Sequence, residues 1–232
     1  MNVIETKGLT FSYGKHQILR NLNLQVPQGS IYGLLGRNGA GKSTTLKLLL
    51  GLLPCEKKQI LFWGEDKYDP TIFFRIGNMI ESPAVYNFMT VEEHLKMFDI
   101  LFKKGAERID EILSMTGLSG EKNKKASKLS TGLRQRLAIA IALFRDPDLL
   151  ILDEPINGLD PLGIIDVREL LLKLQREGKT ILLSSHIISE MEKLCTHVGI
   201  IEEGELKYQG SAGDPGVNKL EDFYISILQQ NR

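Results

Sequence analysis

Cysteine is scarce: only Cys55 and Cys195 occur in 232 residues, too few and too far apart for a disulfide scaffold or a zinc site, as suits a reducing compartment. An excess of either charge is missing as well. Lys plus Arg number 29 and Asp plus Glu number 29, so the formal net charge is zero and no global field draws the chain to nucleic acid or acidic lipid. Met1 is not followed by a basic segment and an apolar stretch, so no secretory leader is expected and the chain is expected to stay inside the cell. The longest uncharged apolar run, residues 137–144, falls well short of the roughly 18 to 20 residues that cross a bilayer. Work at a membrane is therefore expected to need other chains as anchors. Internal repeats, low-complexity tracts and heptads are also lacking, which excludes solenoids and long coiled coils.

What is present is ordinary globular material. Hydrophobic residues make up 42% and charged residues 25%, enough to bury the core of one α/β domain. Residues 1–35 carry alternating runs (18–26, then 30–35) broken by Tyr13-Gly14 and Pro27-Gln28-Gly29, which predicts strands joined by turns. Residues 42–50 have helical spacing and stop at Gly51. Amphipathic stretches at 91–102, 107–115 and 133–144 predict a helical insert spanning 82–145. An apolar run at 149–152, a helix over 162–177 ended by Gly178 and a strand over 180–184 restore βαβ order, which predicts a parallel sheet. The tail from Glu205, with Gly210, Gly213 and Gly216, reads as a small strand and loop before a terminal helix over 220–228.

Gly36-Arg37-Asn38-Gly39-Ala40-Gly41-Lys42-Ser43-Thr44 fits G-x-x-x-x-G-K-[ST], the phosphate-binding loop of nucleotide-binding proteins. It follows one apolar strand and opens a helix, so small residues let backbone N–H groups curl around an anion at a helix N-terminus. Lys42 is expected to reach the outer phosphates and Ser43 to ligate Mg²⁺. Residues 149–152 deliver Asp153 and Glu154 at a strand end, where open parallel sheets bind ligands. Asp153 is placed to hold the metal and Glu154 to accept a proton from an attacking water. No Asn-Lys-x-Asp base-recognition motif occurs, which argues against a GTPase; Asn123-Lys124-Lys125-Ala126 lacks the aspartate.

Leu129-Ser130-Thr131-Gly132-Leu133-Arg134-Gln135-Arg136 lies ahead of Asp153, and Asn157-Gly158-Leu159-Asp160 follows Pro155 closely. With these segments the chain resembles the nucleotide-binding subunit of an ABC transporter over nearly its whole length. That resemblance implies a P-loop NTPase fold: a RecA-like parallel sheet core with an antiparallel β subdomain (1–81 and 146–232) and a helical subdomain (82–145) in one domain. It implies ATP and Mg²⁺ as cofactors, Tyr13 as a ring on which adenine stacks, and His186 as a group that senses the γ-phosphate and helps hold the attacking water. Ser130 and Gly132 would cap the γ-phosphate of a second copy, with Asp160 close to the nucleotide, in a head-to-tail homodimer enclosing two ATP. Transmembrane permease subunits would be the partners, met through the helical insert near Tyr86, Phe88, Met89 and Val91, with the chain peripheral on the cytoplasmic face. The other reading is a soluble ABC-type ATPase acting on ribosomes or DNA without a permease.

The departures from the family pattern are specific. Thr131 and Leu133 replace the third and fifth residues of the usual Leu-Ser-Gly-Gly-Gln, and Ile156 stands where threonine is common. In Ile80-Glu81-Ser82-Pro83, Glu81 stands where most members carry glutamine, and is expected to reach the metal when ATP is bound. Together with Leu-Ser-Thr-Gly and Asn-Gly-Leu-Asp-Pro this resembles the branch that exports bacitracin and lantibiotics for resistance or self-protection.

Overall fold

The runs IYGLL at 31–35, LLILD at 149–153 and TILLSS at 180–185 are buried at every position, the pattern of strands covered on both faces. In the computed structural model, which describes residues 1–81, 85–214 and 219–230, they form the middle of a six-stranded sheet. Ser82, Pro83 and Gly216 lie outside the described residues. In chain order the elements are β1 (Asn2–Thr6), β2 (Leu9–Tyr13), β3 (His16–Leu22), β4 (Gln25–Pro27), β5 (Ile31–Leu35), α1 (Lys42–Leu49), β6 (Ile60–Phe62), β7 (Glu65–Asp66), β8 (Ile76–Met79), α2 (Val91–Phe102), α3 (Ala106–Met115), α4 (Thr131–Leu143), β9 (Leu149–Asp153), α5 (Pro161–Arg176), β10 (Thr180–Ser185), α6 (Ile188–Leu194), β11 (His197–Glu202), β12 (Glu205–Ser211) and α7 (Leu220–Gln230).

The large sheet runs β12-β11-β5-β10-β9-β8, parallel throughout except for β12, which pairs antiparallel with β11. The antiparallel sheet β4-β1-β6-β7 and the hairpin β2-β3 complete the strands described. Because successive strand side chains point to opposite faces, the central strands divide their residues between two cores. Ile31, Leu35, Leu150, Leu152, Ile181 and Leu183 join a core with α4, α5 and α6. Tyr32, Leu34, Leu149, Ile151 and Leu182 join another with α1, β1 and β6.

Helices α2, α3 and α4 pack on one another and share the first core through Leu95, Ile109, Ile112 and Leu137. Thr90 and Glu93 form a capping box that starts α2, each side chain accepting the other residue's backbone N–H. The run over 18–26, which reads as one strand, is two strands in different sheets. Asn21 turns into the left-handed region at φ 50°, and the Asn23 carboxamide accepts from the Gly8 N–H while donating to the Asn21 carbonyl. These short polar side chains satisfy the backbone where the ladder stops.

Gly77 on β8 lets the end of α4 lie against the sheet. A Cβ there would fall 2.2 Å from the Ala142 carbonyl oxygen and 2.9 Å from both Leu150 and Pro147, and backbone does not yield as a side-chain tip does. Gly77→Ala is therefore expected to cost about 1–3 kcal/mol by overpacking. Gly120→Ala, at a site where an added Cβ meets nothing within 4 Å, is expected to stay within about 0.5 kcal/mol. Urea unfolding of the two variants checks this; equal midpoints would contradict the packing argument.

Candidate functional site

β5 ends at Leu35 and the chain turns through Gly36 to Gly41 into α1. Two of these glycines are required by space and backbone. At Gly36 a Cβ would sit 2.4 Å from the Ile201 carbonyl oxygen; Gly41 has φ 110° and leaves only 2.6 Å to a Leu19 methyl. Gly41 is also the N-cap of α1, so the helix starts without a side-chain cap and without an acidic residue in its first turn. Its N-terminal N–H groups and the positive end of its dipole are thus left without a capping side chain, open to an anion. Lys42 is nearly buried and donates to the carbonyls of Gly36 (2.7 Å) and Arg37 (3.2 Å), with Glu154 Oε1 at 3.7 Å.

The carboxyl end of β9 supplies the acids, and that of β10 supplies Ser184. Their register sets Asp153 beside Ser184. Asp153 is 4% exposed, and a buried carboxylate needs donors: Ser184 Oγ donates to its Oδ1 at 2.5 Å and Ser43 Oγ at 3.2 Å. Ser184 Oγ in turn accepts the Glu154 N–H at 3.0 Å. Glu154 is left-handed, φ 48°, a conformation that costs a non-glycine residue on the order of 1 kcal/mol and persists only where the surroundings impose it. Its Oε2 meets His186 Nδ1 at 2.9 Å.

An open groove of about 330 Å³ gathers Asn38, Gly39, Gly41, Lys42, Ser43, Thr44, Glu154, Asn157 and His186. Asp153 and Ser43 offer hard oxygens to a divalent cation. Among the described residues no three His, Cys, Asp or Glu side chains cluster as a metal cage. That donor set fits Mg²⁺, which takes one or two protein oxygens and completes its shell from phosphates and water.

The remaining predicted residues lie elsewhere. Ala40 is in the loop, but its N–H donates to the Arg37 carbonyl. Tyr13, half exposed and edge-on to Phe11, lines a neighbouring cavity of about 500 Å³ with Lys47, Asn78 and Glu81. Ser130 is the exposed N-cap of α4, accepting from the Leu133 N–H. Gly132, expected before the helix, is inside its first turn because this cap starts the helix at Thr131. Asp160 caps α5 by accepting from the Gly163 N–H at 2.8 Å.

Glu81, left-handed at φ 62°, pairs with Lys47 Nζ at 2.5 Å, which raises the lysine pKa. It also lines a cavity of about 700 Å³ with Ser43, Asp153, Glu154 and Thr131. Neither Ser184 nor Lys47 is singled out by the motifs. A serine at the end of a predicted strand, and a lysine four residues after Ser43, are the only traces they leave in the sequence.

Residues 19–157 match the family model for ABC transporters. The chain is 49% identical over 211 residues to the bacitracin transport ATP-binding protein BcrA of Bacillus licheniformis, an overlap that covers 88% of this chain and 68% of that one. It is 39% identical over 234 residues to the lantibiotic transport ATP-binding protein SrtF of Streptococcus pyogenes, covering 99% of this chain and 100% of SrtF. Among solved structures, an ATP-binding subunit of an ABC transporter superposes with TM-score 0.85 at 28% identity, covering 97% of this chain and 99% of that one. CbiO1 from Clostridium perfringens, part of the ABC transporter complex cbiONQ, superposes at 0.84 with 28% identity, covering 99% and 94%.

Ser184→Ala leaves the buried Asp153 Oδ1 and the Glu154 N–H without their shared partner. The expected cost is about 1–3 kcal/mol of stability, together with at least a tenfold loss of ATP turnover because both acids lose their common anchor. Lys42→Ala, by contrast, is expected to abolish nucleotide affinity outright, since it removes the charge expected to pair with the phosphates. Calorimetric ATP titration and steady-state hydrolysis of both variants separate the two effects. Unaltered binding by Lys42→Ala would remove that lysine from the phosphate site.

Proposed function

The chain belongs to the ABC transporter family, and from that premise we propose that it is the ATP-hydrolysing motor subunit of an exporter for antimicrobial peptides of the bacitracin or lantibiotic type. The observation that carries the hydrolytic part is the contact of Glu154 with His186 beside the phosphate loop. Lys42 and the α1 N-terminus hold the phosphates. Ser43 and Asp153 hold Mg²⁺, with Glu81 reaching it once nucleotide is bound; the ion supplies charge neutralisation at the phosphate oxygens. Glu154 accepts the proton of the attacking water, and His186 orients that water and contacts the γ-phosphate.

Ser130 and Gly132 lie outside the groove of their own chain. An added Cβ at Gly132 would meet nothing closer than 3.8 Å, so packing within the chain gives no reason for glycine there. Close approach of a phosphate from a second copy does. The working form is a head-to-tail homodimer with two ATP at the interface, Asp160 near the seam and Tyr13 stacked on adenine. Among the described residues no helix is long and apolar enough to cross a membrane, so permease chains supply the membrane path and hold the subunit at the cytoplasmic face. Tyr86 and Phe88, exposed with rings 5.7 Å apart, together with Met89, belong to the surface that meets them, on a helical subdomain of residues 82–145. Val91, expected in that contact, is fully buried and supports the surface from beneath. The relatives are named for transport, which favours the exporter over a soluble ATPase acting on ribosomes or DNA.

Glu154→Gln is expected to bind ATP, to hydrolyse it at least about 10²-fold more slowly, the scale for losing a general base, and to accumulate as a dimer in sedimentation with ATP. Normal turnover would show that Glu154 is not the base. Deleting the gene with its neighbouring permease genes is expected to sensitise cells to bacitracin or to a lantibiotic. Wild-type tolerance to both would overturn the substrate class while leaving the ATPase assignment intact.

A further inference from the structure

Glu81 borders two spaces at once. It shares one with Ser43, Asp153 and Glu154, and the other with Lys47 and Tyr13. Ser43 and Lys47 are four residues apart on α1, so they lie on one face of the helix, roughly 5–6 Å apart at Cβ. β8 pairs in parallel with β9, Met79 opposite Leu152, which brings the residues after β8 to the sheet edge where Asp153 ends β9. The Glu81 carboxylate therefore has two cationic destinations one helical turn apart: the Lys47 ammonium, which it contacts in this structure at 2.5 Å, and the Mg²⁺ position at Ser43 and Asp153.

We propose that Lys47 is a positioning residue that competes with Mg²⁺ for the Glu81 carboxylate and so sets how much metal the nucleotide site needs. The inference rests on the reading above that Glu81 reaches the metal. The pair suits competition rather than permanent locking, because the Glu81 side chain is 65% exposed and that of Lys47 is 28% exposed; ion pairs this accessible to water are weak and readily exchanged. With Lys47 engaged, the carboxylate is neutralised on the Tyr13 side. Without the lysine charge, Glu81 adds a full negative charge beside Ser43 and Asp153, where a divalent cation is stabilised by it.

The test is a Mg²⁺ titration of the full-length chain with a fluorescent, non-hydrolysable ATP analogue, read as the Mg²⁺ concentration at half-maximal signal. Lys47→Gln is expected to lower that midpoint by about two- to five-fold, the range set by an exposed ion pair. Lys47→Arg is expected to keep the wild-type midpoint, because it restores the charge. In a Glu81→Gln background Lys47→Gln is expected to produce no further shift. An unchanged midpoint for Lys47→Gln while Glu81→Gln moves it overturns the competition alone. A Lys47→Gln shift of equal size in both backgrounds overturns it too, since the lysine would then act without Glu81. A midpoint unmoved by Glu81→Gln overturns the reading of Glu81 as a metal-reaching residue, and this inference with it.

Discussion

The buried carboxylate of Asp153 is the constraint around which the site is organised. Removed from water, it needs hydrogen-bond donors within reach, and it takes them from two directions: Ser184 on the neighbouring strand and Ser43 at the start of α1. One oxygen thereby ties β10 and β9 to the phosphate loop. The same Ser184 hydroxyl accepts the Glu154 N–H, so the backbone that carries Glu154 is fixed by the group that holds the Asp153 carboxylate. A parallel register error of one residue between β9 and β10 would break both bonds and turn the shifted strand's side chains to the opposite core. The two-sided burial of the sheet makes that error costly, and packing remote from the site thereby protects its geometry.

The parts of this arrangement that could be read in the sequence are those whose chemistry is local. The phosphate loop needs small residues in a row before a helix, and Gly36 and Gly41 are held to glycine by contacts at 2.4 and 2.6 Å. Asp153 and Glu154 follow an unbroken apolar run, and His186 follows a strand that closes with Ser184-Ser185. What escaped the sequence depends on pairing between distant segments. Ser184 looks like any strand serine until β10 is set in register with β9. The run over 18–26 keeps its alternation across a change of sheet, because alternation reports burial and not the identity of the partner strand. Gly132 was expected before its helix, and Ser130 capping brings it inside. Tyr13 sits beside Lys47 and Glu81 and not in the groove itself, a displacement that no local spacing encodes.

The helices over 91–143 are joined to the sheet, to one another and to α5 by chemically distinct contacts in addition to the shared core. Gly77 admits the end of α4 at backbone contact. Arg108 on α3 donates to the carbonyls of Leu143 and Phe144, satisfying acceptors that the end of a helix leaves open. Arg136 on α4 pairs with Asp166 on α5. His94, fully buried on α2, accepts the Tyr86 N–H at Nε2 and faces the Thr90 carbonyl with Nδ1, which makes it the neutral, Nδ1-protonated tautomer. It ties the turn bearing Tyr86 and Phe88 to the first turn of α2, so the exposed rings sit on a turn anchored to a helix.

The order of strands in the sheet also bears on how the protein is made. β5, which launches the phosphate loop, has β10 and β11 as its two neighbours, and both are synthesised long after it. Until residues 181–185 and 197–200 leave the ribosome, residues 31–35 have no ladder to join. Five consecutive residues that are buried in the finished sheet must meanwhile remain unpaired, an aggregation hazard during slow, non-local strand pairing. The loop that β5 launches is therefore framed only after β10 and β11 have been made, and a chain cut off after β9 carries the complete loop sequence without either neighbour of its strand.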